Sequence, residues 1–156
     1  MVRFVEVTKV FANGYIGLEE VSFEVTPGEM LYITGESGAG KTTLMRLLIR
    51  EFDPTQGEIY LGEQNIHHLP FRHVPLHRRR VGVVFQDYQL IPDRTIFENA
   101  ALILEIMGTP AQQIRQRVMD VLDVVGLPDK GQLFPVQLSG GELQRAAIAR
   151  ALVTAP

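Results

Sequence analysis

The chain has 156 residues, 46% of them hydrophobic, with a formal net charge of -3 and no cysteine. That length and composition suit one domain with a sizeable core and exclude a disordered chain. The mild negative charge offers no general attraction for nucleic acid or anionic lipid, and disulfides and thiolate metal sites are excluded.

The opening "MVRFVEVTKV" alternates like a strand rather than carrying the apolar core of a secretion signal. "VSFEV" alternates in the same way, with "ANG" and "PGE" as turn signals. The continuous apolar run "MLYI", 30–33, predicts a buried parallel strand. A helix follows in "KTTLMRLLIR", with Leu44, Leu47 and Leu48 on one face. "DPTQG" reads as a turn, "EIYLG" as a short strand and "VGVVF", 81–85, as a second buried strand.

After Asp87 the texture turns helical. "TIFENAALILEIMG" and "PAQQIRQRVMDVLDVVGL" both show helical periodicity, the second with Pro110 suited to a first turn and Gly126 to an end. The longest apolar run, "AALILEIM" from Ala100, is broken by Glu105 and is far shorter than the ~20 residues that span a bilayer. Work at a membrane would need a partner to hold the chain there. "SGGELQRAAIARALV" opens on Ser139 with Glu142 three residues on, a capping box. The whole predicts an α/β fold with a helical insertion.

Two stretches carry chemistry. Gly35-Glu36-Ser37-Gly38-Ala39-Gly40-Lys41-Thr42 satisfies G-x-x-x-x-G-K-[ST] between a predicted strand and helix. Successive backbone amides must curl around phosphate oxygens there, and Cβ atoms at Gly35, Gly38 and Gly40 would obstruct them. The helix start turns its positive end to the same anion. Lys41 supplies a point charge to the β- and γ-phosphates, and Thr42 a hydroxyl for Mg²⁺. Hydrolysis also needs a carboxylate at the end of a second strand. Asp87, closing "VGVVFQD", is the candidate within the chain, which defines one alternative, a simple P-loop kinase or NTPase. The second stretch, "LSGGELQR" at 138–145, sets another hydroxyl residue and two glycines at a helix start, again suited to an anion.

Together the two motifs resemble the ATP-binding cassette (ABC) ATPases. The resemblance implies a partial P-loop NTPase fold: an antiparallel β-subdomain plus P-loop core with RecA-like parallel strands over 1–86, an α-helical subdomain over 87–140, and the signature motif with its helix over 138–156. It implies that ATP meets residues 35–42 and Thr43, with Phe11 stacking on adenine where tyrosine is commoner. Tyr15 is a weaker candidate for that stacking. It also places Gln86 on the Q-loop, with Mg²⁺ and water, so that Lys41 and Gln86 serve hydrolysis and Thr42 and Gln86 serve the metal. Ser139, Gly140, Gly141 and Glu142 would complete the site of a second copy in trans, making ATP the glue of a head-to-tail homodimer.

"PGEMLYITGESGAGKTTLMRLL", "VGVVFQDYQLIPDRTIFENAA" and "FPVQLSGGELQRAAIARALV" are most similar to the bacterial cell-division branch of the family, with "DRT" at 93–95 the most telling piece. That branch implies an integral membrane partner and a place at the inner, cytoplasmic face of the plasma membrane. Related lipoprotein-releasing and exporter ATPases are an alternative, as is an adaptor that uses ATP only to dimerise. The family continues into an apolar strand closing in Asp-Glu, a D-loop and a switch histidine, whereas this sequence closes at "ALVTAP". The resemblance thus implies part of a domain, inactive by itself.

The stretch "HHLPFRHVPLHRRR", 67–80, holds all four histidines. His73 and His77 have i, i+4 spacing, but Pro75 between them argues against a regular helix and so against zinc. No aromatic platform accompanies the arginines, so nucleic acid is not expected. A solvated loop is the reading, while the resemblance implies a stretch that precedes the Q-loop and borders the surface that docks a membrane partner, with a contribution to coupling as the alternative.

Overall fold

The computed structural model describes residues 1–155. Alternating apolar side chains drive the first half into a sheet. Strands β1 (Val2–Val10) and β2 (Ile16–Val25) pair antiparallel, β3 (Gln56–Leu61) takes the other side of β1, and β4 (Gln64–Asn65) pairs with β3. The order is β2-β1-β3-β4, which leaves the ten-residue β2 on one edge. Phe4 on β1 faces Phe23 across one ladder and Ile59 across the other. The Phe4 and Phe23 rings stack with centroids 4.6 Å apart. Helix α1 (Lys41–Leu48) sets Leu44 and Leu47 into the same core as Phe4, Val7, Leu18, Ile59 and Ile66. This sheet and helix belong to one compact unit, residues 1–78.

A second compact unit begins at Arg79 and is helical. Helix α3 (Ile96–Ile106) starts at Thr95, whose hydroxyl accepts from Glu98 N at 3.2 Å while the Glu98 carboxylate accepts from Thr95 N at 2.7 Å. Helix α4 (Ala111–Val124) ends at Gly126, with Leu127 N donating back to Leu122 O at 2.8 Å as in a Schellman motif. Helix α5 (Gly140–Leu152) completes the unit. Their shared core includes Ile96, Leu104, Val118, Leu122, Leu138 and Ala149. Asn99 is buried at this core's edge, 2% exposed. Its amide accepts from Ile91 N at 2.7 Å and donates to the carbonyls of Ile91, Arg94 and Thr95 at 3.0–3.1 Å. One side chain thereby fixes the loop that carries "DRT".

Three expectations change. Residues 30–33 and 81–85 form no strand, and Met30 and Tyr32 are 75% and 79% exposed. A parallel strand takes its hydrogen bonds entirely from neighbours, and no ladder among the described residues includes either segment. The histidine-arginine stretch is more ordered than a solvated loop. It forms a 3₁₀ turn at Phe71–His73 and helix α2 (Val74–Arg78), in which Pro75 falls in the first turn, where its missing N–H has no helical acceptor to serve. His77 is buried, with Nε2 2.7 Å from Leu48 O, and Arg78 donates to Ile49 O and Arg50 O at 2.9 and 3.0 Å. These side chains serve the carbonyl end of α1, where cations are favoured.

Asn99→Ala removes four hydrogen bonds and deprives the partly buried Ile91 N and Arg94 O of their partner. A loss of about 2–4 kcal/mol in urea unfolding of the chain is expected.

Candidate functional site

The loop that precedes α1 owes its shape to what it lacks. Gly40 caps the helix in a left-handed conformation, φ 86°, and a Cβ built there would lie 2.2 Å from Gly17 O. No other residue type fits between helix and strand at that point. Being glycine, it also offers the first turn no side-chain acceptor. The amides of Gly38, Gly40, Lys41, Thr42 and Thr43 consequently donate to no acceptor among the described residues. Ala39 N is engaged, donating to Glu36 O at 3.2 Å. Lys41 arches back over the loop, with Nζ donating to Gly35 O at 2.8 Å and Glu36 O at 2.7 Å. Residues 31–39 and Thr42 are exposed. A run of free donors, a helix start and an ammonium group make a cradle for a polyanion.

Phe11 is brought to this cradle. A Cβ on Gly17 would meet Phe11 Cε2 at 2.6 Å and Thr43 Cγ2 at 3.2 Å, so the ring and the first turn of α1 share one small space. The Phe11 ring stands edge-on to Phe52 at 5.4 Å and stacks on Tyr15 at 6.0 Å. Lys9 Nζ lies 5.4 Å from the Phe11 centroid. Sequence reading passed over Gly17; a glycine inside a strand signals close backbone approach, and the strand that holds it begins five residues before the "VSFEV" that was expected.

The second candidate lies in the helical unit. Ser139, Gly140 and Gly141 are exposed at the start of α5, and the amides of both glycines have no acceptor among the described residues. Ser139 N and Oγ both donate to Glu142 Oε2 at 2.8 Å, and Lys130 Nζ stands 3.4 Å from Glu142 Oε1. The bond from Ser139 N, then that from its hydroxyl, with a lesser part from Lys130, hold the Glu142 carboxyl at about 2, well below its ordinary 4.5. Glu142 is thus a charge already engaged, which leaves the glycine amides as the open anion-accepting groups.

Gln86 is exposed, as is Asp87. The turn that follows holds Tyr88 and Gln89 in the left-handed region, φ 59° and 47°. Arg150 on α5, a residue that sequence reasoning passed over, donates to the carbonyls of both, at 2.7 and 2.5 Å. Burial lowers the Arg150 pKa from its ordinary value. Helix α5 therefore anchors the turn beside Gln86 through a contact 61–62 residues apart in sequence.

The ABC transporter sequence pattern matches residues 18–156. The chain belongs to the ABC transporter family. This displaces the simple NTPase built on Asp87. The "Cell division ATP-binding protein FtsE" of Escherichia coli K12 is 47% identical over 156 residues, covering all of this chain and 70% of that protein. FtsE of Bacillus subtilis 168 is 44% identical over the same span, 68% of its length. Among solved structures, the dimeric ABC transporter cassette MJ0796 superposes with a TM-score of 0.92 at 34% identity, covering all of this chain and 71% of that one. The same cassette in a dimeric post-hydrolysis state bound to ADP and Pi gives 0.91. The partial P-loop NTPase fold expected from the motifs is the fold of these cassettes.

Replacing Glu142 by Gln keeps the size and removes the charge. Because the folded carboxyl titrates lower than the unfolded one, its stabilisation is complete above about pH 4.5 and is lost as the pH falls toward 2. Urea titrations should show wild type more stable than Glu142→Gln at pH 7, with the gap closing across that window.

Proposed function

We propose that the chain is the ATP-binding part of an FtsE-type ABC complex, in which ATP binding and hydrolysis drive an FtsX-like integral membrane partner during bacterial cell division. The observation that carries the reading is the cradle at residues 35–43, with five backbone amides lacking acceptors among the described residues. Likeness to FtsE over all of this chain and 70% of that protein supports an FtsE-type reading, and the membrane partner is proposed from that type. In this reading the partner holds the chain at the inner face of the plasma membrane; no described helix is itself long and apolar enough to cross a bilayer.

In this reading the cradle amides and Lys41 hold the triphosphate, and Phe11 stacks on the base. Lys41 would leave its two loop carbonyls for phosphate oxygens, a stronger charge-assisted pairing. Thr42 and Gln86 would hold Mg²⁺, which supplies neutralisation of phosphate charge. Ser139, Gly140 and Gly141 are proposed to meet the γ-phosphate of ATP held by a second copy. Exposure of that helix start supports the trans arrangement, because a buried one could not reach another molecule. ATP between two positive helix starts favours the closed dimer, and hydrolysis removes that preference. The proposed domain division assigns 1–86 to a β-subdomain with the P-loop core, 87–140 to an α-helical subdomain and 138–156 to the signature motif and its helix.

Two outcomes test the reading. Lys41→Ala should weaken ATP binding by about 10- to 100-fold in calorimetry, the range for a lost charged hydrogen bond. Ser139→Arg in the full-length ATPase should abolish ATP-dependent dimerisation in sedimentation while leaving ATP binding to the monomer. The 156-residue polypeptide by itself is expected to release no phosphate from Mg²⁺-ATP, because its sequence holds no apolar strand closing in Asp-Glu. Turnover that Lys41→Ala removes would return attention to Asp87.

A further inference from the structure

The crown of the phosphate loop is tied to a side chain from the preceding hairpin. Tyr15 is 49% exposed, yet its hydroxyl donates to Gly38 O at 2.8 Å, 23 residues away. Its own backbone is well fixed: Phe11 N donates to Tyr15 O at 2.9 Å, Gly14 N to Phe11 O at 2.9 Å, and Tyr15 N to Asn13 Oδ1 at 3.1 Å. A rigid turn thus presents a phenol to the loop.

The bond falls on a peptide that could otherwise turn over. Gly38 has φ 88°, and glycine crosses between backbone regions at little cost. The peptide joining Gly38 to Ala39 is held at both ends, its carbonyl by Tyr15 and its N–H by Glu36 O. Rotation of that peptide would carry a carbonyl dipole to where neighbouring amides offer positive ends, and a carbonyl repels phosphate oxygens. Tyr15 also stacks on Phe11, with ring centroids 6.0 Å apart and planes at 29°.

We propose that Tyr15 is a positioning residue for triphosphate binding, holding the Gly38–Ala39 peptide with its carbonyl turned away from the anion. The ring contact with Phe11 links this latch to the aromatic residue proposed for the base. The inference rests on residues 35–43 being the phosphate cradle.

The test is Tyr15→Phe in the full chain, which removes the hydroxyl and keeps the ring. Calorimetry with inorganic tripolyphosphate and with ATP separates phosphate effects from base effects. Both affinities should fall about three- to tenfold, the range for one neutral hydrogen bond. Without ligand, the Ala39 amide should exchange hydrogen faster than in wild type while the thermal unfolding midpoint holds, which a merely structural role would not produce. Unchanged binding of both ligands, or a loss confined to ATP, would overturn the latch. Tripolyphosphate affinity left unchanged by Lys41→Ala would instead remove the cradle on which the latch depends.

Discussion

The contact between Gly40 and the carbonyl of Gly17 governs the sheet-bearing unit. It allows α1 to begin flush against β2, and it does so with a residue that has no side chain to cap the helix. The contrast with α3 is instructive. There Thr95 and Glu98 serve each other and the helix start is closed upon itself. At α1 the same backbone groups are left to whatever anion arrives. Helix α5 is intermediate, since Glu142 serves Ser139 while the two glycine amides stay open.

The opposite end of α1 is treated in the reverse way. His77 and Arg78 from α2 close on the carbonyls of Leu48, Ile49 and Arg50. The helix thus has the Arg78 guanidinium and the His77 ring at its carbonyl end and open amides at its start, an arrangement in which the guanidinium cation sits at the negative pole its dipole offers. Asn99 and Arg150 do comparable service in the helical unit, each using one side chain to bind several carbonyls of a loop. In both units, long polar side chains fix the irregular backbone that flanks a motif.

Short-range features were readable from sequence. The glycine cradle, the Ser139–Glu142 pairing and the Gly126 stop all depend on residues a few positions apart, and their chemistry is written in that spacing; the Thr95–Glu98 pairing has the same spacing and was passed over. Strands at 30–33 and 81–85 were not, because an apolar run states a preference for burial while a strand is a relation between two segments. The histidine-arginine stretch was misread for a similar reason: its acceptors are carbonyls 28–29 residues upstream. Tyr15 was noticed as an aromatic ring, but nothing local announces a bond from its hydroxyl to Gly38. Arg150 gave no signal beyond a lone cation on a helix.

The edge strand β2 has a consequence for handling the molecule. A free edge of ten residues is a template for pairing with another copy. Here Glu19, Glu20 and Glu24 are exposed along it, so two such edges meet carboxylate to carboxylate. That repulsion is electrostatic and is screened within about 10 Å at 0.1 M salt. Added salt therefore weakens the protection that these carboxylates give the edge.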